Sequence, residues 1–297
     1  MRHLPDSVNG LTLESVCFHG EALESIQRAI QRTTGMILVT GPTGSGKTTT
    51  LYALLDILNT PDVNISTIED PVEYQIKRIN QTQVRPDIGL TFGSGLRTLV
   101  RQDPDIIMVG EIRDQETAGL AINAALTGHL VLSTLHTNSA AGTIPRLLDL
   151  GAEPFLVVST VEVIAAQRLV RRLADPKEPY HLTPAELKTL GEKADLAKVM
   201  ACLKKEKILQ ETKDWSELTF YRPKAVGESD GYSGRLAIVE VLTMSRALRD
   251  MVIKGATADD FTAEARQEGM LTMLEDGLFK AAQGLTSIEE VLRVVNE

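Results

Sequence analysis

Cysteine is scarce in this chain, and long apolar runs are absent. The 297 residues include two cysteines, Cys17 and Cys202, and neither belongs to a pair with metal-ligand spacing. This usage excludes a disulfide framework and is typical of a protein in a reducing cytosol. No apolar stretch approaches the roughly 20 residues that span a membrane, and residues 1–6 contain no apolar signal-peptide core. We therefore expect a cytoplasmic chain that inserts into no membrane itself.

Positive charge and aromatic residues are also in short supply. The chain carries 40 acidic residues against 31 lysines and arginines, for a formal net charge of −9, and aromatic residues make up 4%. A nucleic-acid motor uses a basic strip or base-stacking aromatic side chains, so we expect no nucleic-acid partner. Hydrophobic residues make up 43%, which is ordinary for a globular core. The length allows two domains, or one large domain with an appendage.

Residues 41–48 have the complete pattern of a phosphate-binding loop. The loop, with the threonine that follows it, consists of Gly41, Pro42, Thr43, Gly44, Ser45, Gly46, Lys47, Thr48 and Thr49. An apolar run precedes it and a helical pattern follows, which is the context that the motif requires. The glycines allow successive N–H groups to face one anion, and the helix dipole adds to this attraction. Lys47 supplies a charge for the β- and γ-phosphates and Thr48 a hydroxyl ligand for Mg²⁺, so the loop predicts nucleotide binding.

Between residues 36 and 172, short β-branched runs alternate with longer helical patterns. The predicted strands are residues 36–40, 64–69, 79–84, 105–109 and 129–134. The predicted helices are residues 46–59, 94–102, 114–126, about 138–150 and 154–173. Because proline disrupts a helix interior, Pro145 requires the fourth helix either to begin near Ile144 or to kink there. The alternation predicts an α/β fold with a mostly parallel sheet and helices on both faces.

The pattern changes after residue 173. Residues 175–179 have the composition of a linker, and Thr183-Pro184-Ala185-Glu186 is typical of a capping box at a helix start. An alternating run predicts a strand over residues 235–244. Caps of three or four closing helices are predicted at Ser245, Thr257 and either Thr286 or Ser287.

Two of the predicted strands end in acids. The apolar residues 105–109 lead to Glu111, and in P-loop enzymes a strand beside the loop delivers a carboxylate to Mg²⁺. The alternative is a surface glutamate after a buried strand. Residues 67–73 also end in acids, and a carboxylate at such a strand end can orient a water against the γ-phosphate. The alternative is a simple turn at Asp70-Pro71, which the composition by itself favours.

Two histidines bracket the predicted strand 129–134. His129 and His136 emerge at its opposite ends, so they cannot share one metal ion. His136 falls at the carboxyl end, with the phosphate site, where it can sense the γ-phosphate through a hydrogen bond. For His129 a structural role stays open.

Three arginines flank the strand that leads to Glu111, namely Arg97, Arg101 and Arg113. Arginines in this place can stabilise the charge of phosphoryl transfer, in their own subunit or in a neighbour's. The alternative is surface ion pairing with Asp103 or Asp114.

Taken together and in this order, these segments resemble the bacterial secretion ATPases: the type II secretion motor (general secretory pathway protein E) and the type IV pilus assembly ATPases. The four boxes of that family match residues 41–48 (Walker A), 68–73 (acid-rich box), 105–114 (Walker B) and 127–137 (histidine box). Residues 81–84, 101–105, 167–171 and 231–235 also look like family sequence. The resemblance extends from about residue 11 to residue 297, apart from residues 174–230.

The resemblance implies a RecA-like motor core that works as a homohexamer, with ATP and Mg²⁺ bound between subunits. It places Lys47 and Thr48 on the phosphates and Mg²⁺, and Glu111 on Mg²⁺ directly or through water. In this reading Glu69 positions the attacking water and His136 contacts the γ-phosphate. The family arginines implicated in nucleotide contact match Arg97, Arg101 and Arg113.

Two departures from the family pattern carry expectations of their own. Family members commonly hold zinc with two Cys-x-x-Cys pairs, but the matching stretches near residues 173–178 and 221–229 contain no cysteine. Because structural zinc needs such ligands, we predict no zinc, and the helices between these stretches must be stabilised by packing alone. The family also has an upstream domain that completes the subunit interface. Residues 1–6 look like its tail, so we expect weak hydrolysis by this chain alone.

The resemblance also suggests four parts. They are a remnant of the upstream domain with a linker at residues 1–20, a RecA-like core at 21–173, an inserted subdomain at 174–230 without cysteine in the stretches that match the zinc pairs, and a C-terminal strand with a helical subdomain at 231–297.

The predicted function is that of an ATP-hydrolysing motor that powers assembly of a type II secretion pseudopilus or a type IV pilus. It would act at the cytoplasmic face of the inner membrane, through platform and adaptor proteins of that machine. The alternatives are a pilus retraction ATPase and a RecA-like nucleic-acid translocase. A regulatory module that binds nucleotide without hydrolysis would lack Lys47 or an acid, and none is missing here.

Overall fold

The computed structural model describes residues 12–13, 16–209, 214–227 and 229–296. Its strands are β1 (Gly35–Thr40), β2 (Ile65–Glu69), β3 (Ile79–Gln83), β4 (Ile106–Val109), β5 (Leu130–Leu135), β6 (Val161–Leu173), β7 (Lys177–Tyr180), β8 (Phe220–Pro223) and β9 (Tyr232–Thr243). Its α-helices are α1 (Gly20–Ile30), α2 (Lys47–Leu58), α3 (Phe92–Leu99), α4 (Gln115–Leu126), α5 (Thr143–Asp149), α6 (Pro154–Thr160), α7 (Pro184–Gly191), α8 (Leu196–Lys205), α9 (Arg246–Ile253), α10 (Ala258–Gln267), α11 (Met273–Ala282) and α12 (Ile288–Val295). None of the described helices is long and apolar enough to cross a bilayer.

The chain divides into two compact units. Unit 1 comprises Met1–Ala166 and Val241–Glu268, and unit 2 comprises Gln167–Glu240 and Gly269–Glu297. The phosphate-binding loop and the other candidate site residues all lie in unit 1. Residues 174–230, for which the sequence suggests an inserted subdomain, lie in unit 2. Residues 1–6, which the sequence analysis compares with the tail of an upstream domain, lie outside the described residues.

Seven of the described strands form one sheet in the order β3-β2-β4-β5-β1-β6-β9. Strand β1 pairs in parallel with β5 and β6, β4 pairs in parallel with β5 and β2, and β2 pairs in parallel with β3. The predicted α/β class with a mostly parallel sheet is therefore confirmed. Every residue of β1 and of β5 is buried, as expected for a parallel sheet covered on both faces.

The strand register brings several strand ends to one edge of the sheet. Thr40 lies opposite Leu135, Ser133 lies opposite Val109, and Val109 lies opposite Ile68. The loop after β1, Glu69 at the end of β2, and the residues that follow β4 and β5 consequently meet at the carboxyl edge. In open α/β sheets this edge is where ligands bind.

The predicted helix over residues 154–173 is wrong in its second half. Helix α6 ends at Thr160, and the chain continues as strand β6, whose residues 161–166 pair in parallel with β1. Val161, Val163 and Ile164 are at most 1% exposed. A strand buried on both faces shows no alternation of apolar and polar residues, so its pattern cannot be told from that of a buried helix.

Other boundaries differ less from the predictions. Helix α5 begins at Thr143, so Pro145 falls in its first turn, where its missing N–H costs no helix hydrogen bond. Residues 175–179, predicted as a linker, instead include strand β7, which pairs antiparallel with β8. Proline is tolerated in such edge strands, and Pro179 lies within β7.

Hydroxyl caps begin the closing helices as the sequence predicts. Ser245, Thr257 and Ser287 accept hydrogen bonds from backbone N–H groups at the starts of α9, α10 and α12. Thr272 caps α11 in the same way and was not predicted. The capping box at Thr183 and Glu186 is confirmed at the start of α7.

Aromatic packing occupies the part of unit 2 for which the sequence predicts no zinc. The Trp215 and Phe220 rings stack with centroids 5.9 Å apart, and Tyr180 lies 6.2 Å from Phe220. Phe220 is 1% exposed, and the indole N–H of Trp215 donates to the Leu196 carbonyl oxygen at 2.9 Å. These contacts show that side-chain packing holds this part of unit 2 together. The lack of zinc itself stays a prediction.

Candidate nucleotide site

The loop after β1 presents a helix start that has no side-chain cap. Gly41, Gly44 and Gly46 have φ angles of 144°, 79° and 91°, which a residue with a side chain rarely adopts. Gly46 is the N-cap of α2 and supplies no side-chain hydrogen bond, whereas Asp114 caps α4 through its carboxylate. The first N–H groups of a helix have no partner within the helix. This start is therefore suited to an anion such as a nucleotide phosphate.

Lys47 is buried within the loop that it closes. Its ammonium donates to the Gly41 carbonyl oxygen at 2.8 Å and to the Pro42 carbonyl oxygen at 3.0 Å. Burial lowers the pKa of Lys47, and the negative charge of Glu111 acts in the opposite direction. The loop thus holds one cation at its centre, close enough to Glu111 for the two charges to interact.

Glu111 lies just beyond the end of β4 and is 8% exposed. Arg113 lies 2.5 Å from one of its carboxylate oxygens, and the Nε2 atom of His136 lies 3.1 Å from the other. The hydrogen bond to Glu111 raises the pKa of Arg113. The backbone is fixed as well, because the Thr134 hydroxyl donates to the Gly110 carbonyl oxygen at 2.7 Å. The structure therefore brings together residues from two boxes of the sequence, Glu111 and Arg113 from residues 105–114 and His136 from residues 127–137.

Glu69 is 2% exposed at the end of β2 and accepts hydrogen bonds at both carboxylate oxygens. The Tyr52 hydroxyl donates to Oε2, while the Thr67 hydroxyl and the Gln81 amide donate to Oε1. The sequence analysis missed these three donors. A signal was available for two of them: Tyr52 lies one helical turn beyond Thr48, and Thr67 lies on the same strand face as Glu69.

Glu69 ends β2, and Glu111 follows the neighbouring strand β4. The Gly110 N–H donates to the Ile68 carbonyl oxygen at 2.8 Å, and a Cβ atom placed on Gly110 would lie 3.4 Å from the Cα atom of Glu69. The backbones that carry Glu69 and Glu111 are thus in contact. A strand end and a bend at Asp70-Pro71 occur together here, so these two sequence interpretations are compatible.

The arginines separate into two groups. Arg113 contacts Glu111, whereas Arg97 forms an ion pair with Glu116 at 2.7 Å in which both side chains are more than half exposed. Neither Asp103 nor Asp114 is the partner of Arg97. The Arg101 side chain is exposed and makes no hydrogen bond or ion pair within the described ranges. Nucleotide contact by Arg97 and Arg101 stays a prediction.

His129 lies at the opposite end of β5 from His136. It is buried, and its Nδ1 atom lies 2.9 Å from the Ala124 carbonyl oxygen near the end of α4. This contact gives His129 a structural partner away from the phosphate-binding edge.

The residues present fit a nucleotide with a divalent cation. The uncapped start of α2 and the buried Lys47 suit phosphate, and the exposed Thr48 and Thr49 lie in the first turn of that helix. The Thr48 hydroxyl and the Glu111 carboxylate are oxygen ligands of the kind that Mg²⁺ prefers.

This site, at the carboxyl edge of a mostly parallel sheet, defines a P-loop protein of the RecA-like α/β class. The family model described as "Type II/IV secretion system protein" matches residues 1–293. The chain therefore belongs to the type II/IV secretion system protein family.

Several curated relatives share close to half of their aligned residues with this chain. It is 51% identical over 282 residues to the type II secretion system protein E of Xanthomonas campestris pv. campestris, covering 94% of this chain and 47% of the relative. It is 47% identical over 296 residues to the type IV pilus assembly ATPase PilB of Myxococcus xanthus, covering 98% and 49%. It is 44% identical over 300 residues to the type II secretion system ATPase E of Vibrio cholerae, covering 100% and 56%. The chain thus spans about half the length of the curated relatives it matches.

Solved structures agree on the fold. The pilus retraction motor PilT, solved with bound ADP, matches with a TM-score of 0.69 and 27% identity, covering 98% of this chain and 68% of that one. The Legionella pneumophila ATPase DotB matches with a TM-score of 0.64 and 24% identity, covering 95% and 64%, and shows the fold alone.

Proposed function

We propose that this chain is an ATP-hydrolysing motor domain that powers assembly of a type II secretion pseudopilus or a type IV pilus. The observation that carries the proposal is the convergence of Lys47, Glu111 and His136 at one sheet edge, with Glu69 on the neighbouring strand. The names of the curated relatives, which are secretion and pilus assembly ATPases, support the same function.

Each residue has a distinct part in the proposed hydrolysis. Lys47 and the N–H groups at the start of α2 hold the β- and γ-phosphates. Glu69 accepts a proton from the water that attacks the γ-phosphorus, and the bond from that phosphorus to the bridging oxygen breaks as ADP leaves with its electron pair. His136 and Arg113 hold the Glu111 carboxylate in place.

Mg²⁺ fits the same edge of the sheet. Thr48 and Glu111 would hold it, directly or through water. When bound, the ion neutralises charge that develops on the phosphate oxygens. Arg97 and Arg101 are candidates to add positive charge from a neighbouring subunit, because both side chains are exposed.

The proposed setting is the cytoplasmic face of the inner membrane. The active form would be a homohexamer with ATP bound between subunits, docked on platform and adaptor proteins of the secretion or pilus machine. Membrane association would then occur through those partners, and no nucleic-acid partner is required.

Binding and hydrolysis measurements on the loop test the nucleotide site directly. We expect Lys47→Ala to weaken ADP affinity by roughly 10- to 100-fold, because a hydrogen bond to a charged group contributes about 1.5–3 kcal/mol. Calorimetric titration with ADP measures this. Exposed Glu268 on the same unit provides a control, since Glu268→Gln removes a charge that takes part in no proposed contact with the nucleotide. Unchanged affinity in Lys47→Ala would overturn the assignment of the loop.

Substitution of Glu111 separates hydrolysis from binding. Glu111→Gln keeps the size and shape of the side chain but removes its charge and replaces one acceptor oxygen by an amide donor. We therefore expect most nucleotide binding to survive and Mg²⁺-dependent release of phosphate to be lost. Full turnover by this variant, measured alongside the unaltered chain, would refute the role given to Glu111.

Retraction of a pilus is the second candidate function, and the match to PilT supports it. A chimera distinguishes the two. This chain would replace the matching half of the Myxococcus pilus assembly ATPase in cells that lack it. Restored piliation supports assembly, whereas restored retraction in cells that lack the retraction motor would support the alternative.

A further inference from the structure

One tyrosine connects the helix after the phosphate-binding loop with the buried acid on β2. Tyr52 lies in α2, one turn beyond Thr48, and is 1% exposed. Its hydroxyl donates to Oε2 of Glu69 and accepts a hydrogen bond from the Glu73 N–H at 3.3 Å. A single oxygen atom therefore joins α2, the end of β2 and the segment that follows β2.

The remaining contacts of Glu69 come from uncharged donors. Its Oε1 atom accepts from the Thr67 hydroxyl at 2.5 Å and from the Gln81 amide at 3.1 Å. The same Gln81 amide donates to the Tyr74 carbonyl oxygen at 3.1 Å, and its Oε1 atom accepts from the Ile76 N–H at 2.7 Å. The carboxylate is thus fixed at both oxygens, and Tyr52 supplies the contact that comes from the nucleotide-binding helix.

The environment of Tyr52 keeps it a hydrogen-bond donor. Burial, and after it the hydrogen bond to Glu69, raises the pKa of Tyr52, so the hydroxyl keeps its proton. The ring meets that of Tyr74 edge to face, with centroids 4.6 Å apart and planes at 89°. This packing restricts the direction in which the hydroxyl points.

We propose that Tyr52 is a positioning residue for the hydrolytic reaction: it orients the Glu69 carboxylate relative to the phosphate-binding loop through α2. This inference rests on the proposed role of Glu69 as the proton acceptor. Tyr52 touches neither phosphate nor water in this account. It acts through Glu69, because its hydroxyl holds the Oε2 atom while Lys47, on the same helix, holds the phosphates.

Removal of the Tyr52 hydroxyl tests the inference. Tyr52→Phe keeps the ring and its packing, so we expect the fold and the ADP affinity to be retained. Hydrolysis of radiolabelled ATP, followed in a single turnover with protein in excess, is expected to slow about tenfold, the equivalent of one hydrogen bond to a charged group. Tyr221→Phe is the control, since Tyr221 lies in unit 2, outside the proposed site; we expect it to leave the rate unchanged.

A double-mutant cycle shows whether Tyr52 acts through Glu69. In a Glu69→Gln background, Tyr52→Phe is expected to cause little further loss, because residues that act as a unit are not additive. Equal slowing in both backgrounds, or full activity of Tyr52→Phe, would overturn the inference.

The proposed function fails by a different result. If Glu69→Gln hydrolyses ATP as fast as the unaltered chain, the role of Glu69 is wrong and the inference falls with it. If Glu69→Gln is slow while Tyr52→Phe is fast, only the inference is wrong.

Discussion

A series of hydrogen-bonded threonine hydroxyls connects the phosphate-binding loop with the histidine box. Thr40, the last residue of β1, is fully buried, and its hydroxyl oxygen lies 2.6 Å from that of Thr137 and accepts the Thr137 N–H at 2.9 Å. The Thr137 hydroxyl continues to that of Thr143 at 2.8 Å. Because Gly41 follows Thr40 and His136 precedes Thr137, these hydroxyl contacts fix two parts of the proposed site against each other.

Substitution of Thr137 by valine removes the central hydroxyl of this hydrogen-bonded series. The side chain keeps nearly the same volume. The Thr40 and Thr143 hydroxyls each lose one partner but keep hydrogen bonds to backbone carbonyl oxygens, so we expect the free energy of unfolding to fall by about 0.5–1.5 kcal/mol. Urea denaturation followed by circular dichroism measures the change.

The control for this substitution is Thr98→Val. Thr98 donates to the Ser94 carbonyl oxygen on the exposed side of α3, and its loss is expected to cost less than about 0.5 kcal/mol. Equal losses of unfolding free energy in Thr137→Val and Thr98→Val would contradict a special contribution from the buried threonine hydroxyls.

Among the elements of unit 2, a buried carboxylate on α12 joins this helix to β6. The Glu290 side chain is 0% exposed and lies 2.8 Å from Arg171 and 2.7 Å from Arg293. Its N–H donates to the Ser287 cap at 3.1 Å, and the Arg171 N–H donates to its Oε1 atom at 3.1 Å. The guanidinium of Arg171 also stacks on the ring of Tyr232 at 4.0 Å.

This carboxylate makes the stability of unit 2 depend on pH. Burial alone raises the pKa of Glu290, but hydrogen bonds from Arg293 and Arg171 outweigh it and lower the value from 4.5 to about 2. A pKa that is lower in the folded state gives stability that is complete above pH 4.5 and is lost as the pH falls toward 2. We expect Glu290→Gln to cost roughly 2–3 kcal/mol at neutral pH, with a smaller difference near pH 2.

Denaturation at several pH values, followed by the fluorescence of the single tryptophan Trp215 in unit 2, measures this loss. Glu289→Gln is the control, because Glu289 forms a half-exposed pair with Arg222 at 3.1 Å and is expected to contribute less than about 1 kcal/mol. A difference between Glu290→Gln and the unaltered chain that does not shrink in acid would be inconsistent with this account.

For the whole molecule, the exposed arginines are candidates for contacts between subunits. Arg101 lies outside the contacts around Glu111 and is exposed to solvent. In the proposed hexamer such a side chain is available to the nucleotide of a neighbouring copy, as arginines are in other phosphoryl-transfer enzymes.

A mixing experiment tests whether copies complete each other's sites. Lys47→Ala chains have a defective loop but keep Arg101. Arg101→Ala chains have an intact loop but lack the arginine. Each alone is expected to be inactive, and a mixture is expected to regain part of the ATP turnover, increasingly so at higher protein concentration. The control is a mixture of Arg101→Ala chains with chains that carry both Lys47→Ala and Arg101→Ala, because neither of these supplies Arg101. No gain over the separate chains would exclude a contribution of Arg101 to a neighbour.

The phosphate-binding loop, the strands that lead into the site and most helix starts could be predicted from the sequence. These features depend on residues that are close in the chain: the glycines around Lys47, the β-branched run before Glu111, and the hydroxyls that cap α9, α10 and α12. Parallel strands end at the same edge, so His136 was also predictable from its position after β5.

The side chains that meet between different elements could not be predicted, because their contacts form only in the folded chain. The bond from Tyr52 to Glu69, the bond from Thr40 to Thr137 and the ion pair of Arg97 with Glu116 join residues from different elements. Residues 161–166 became a strand because they pair with β1 in the buried centre of the sheet, where the apolar pattern of strand and helix is the same. Such contacts depend on strand order and long-range packing, which local sequence does not encode.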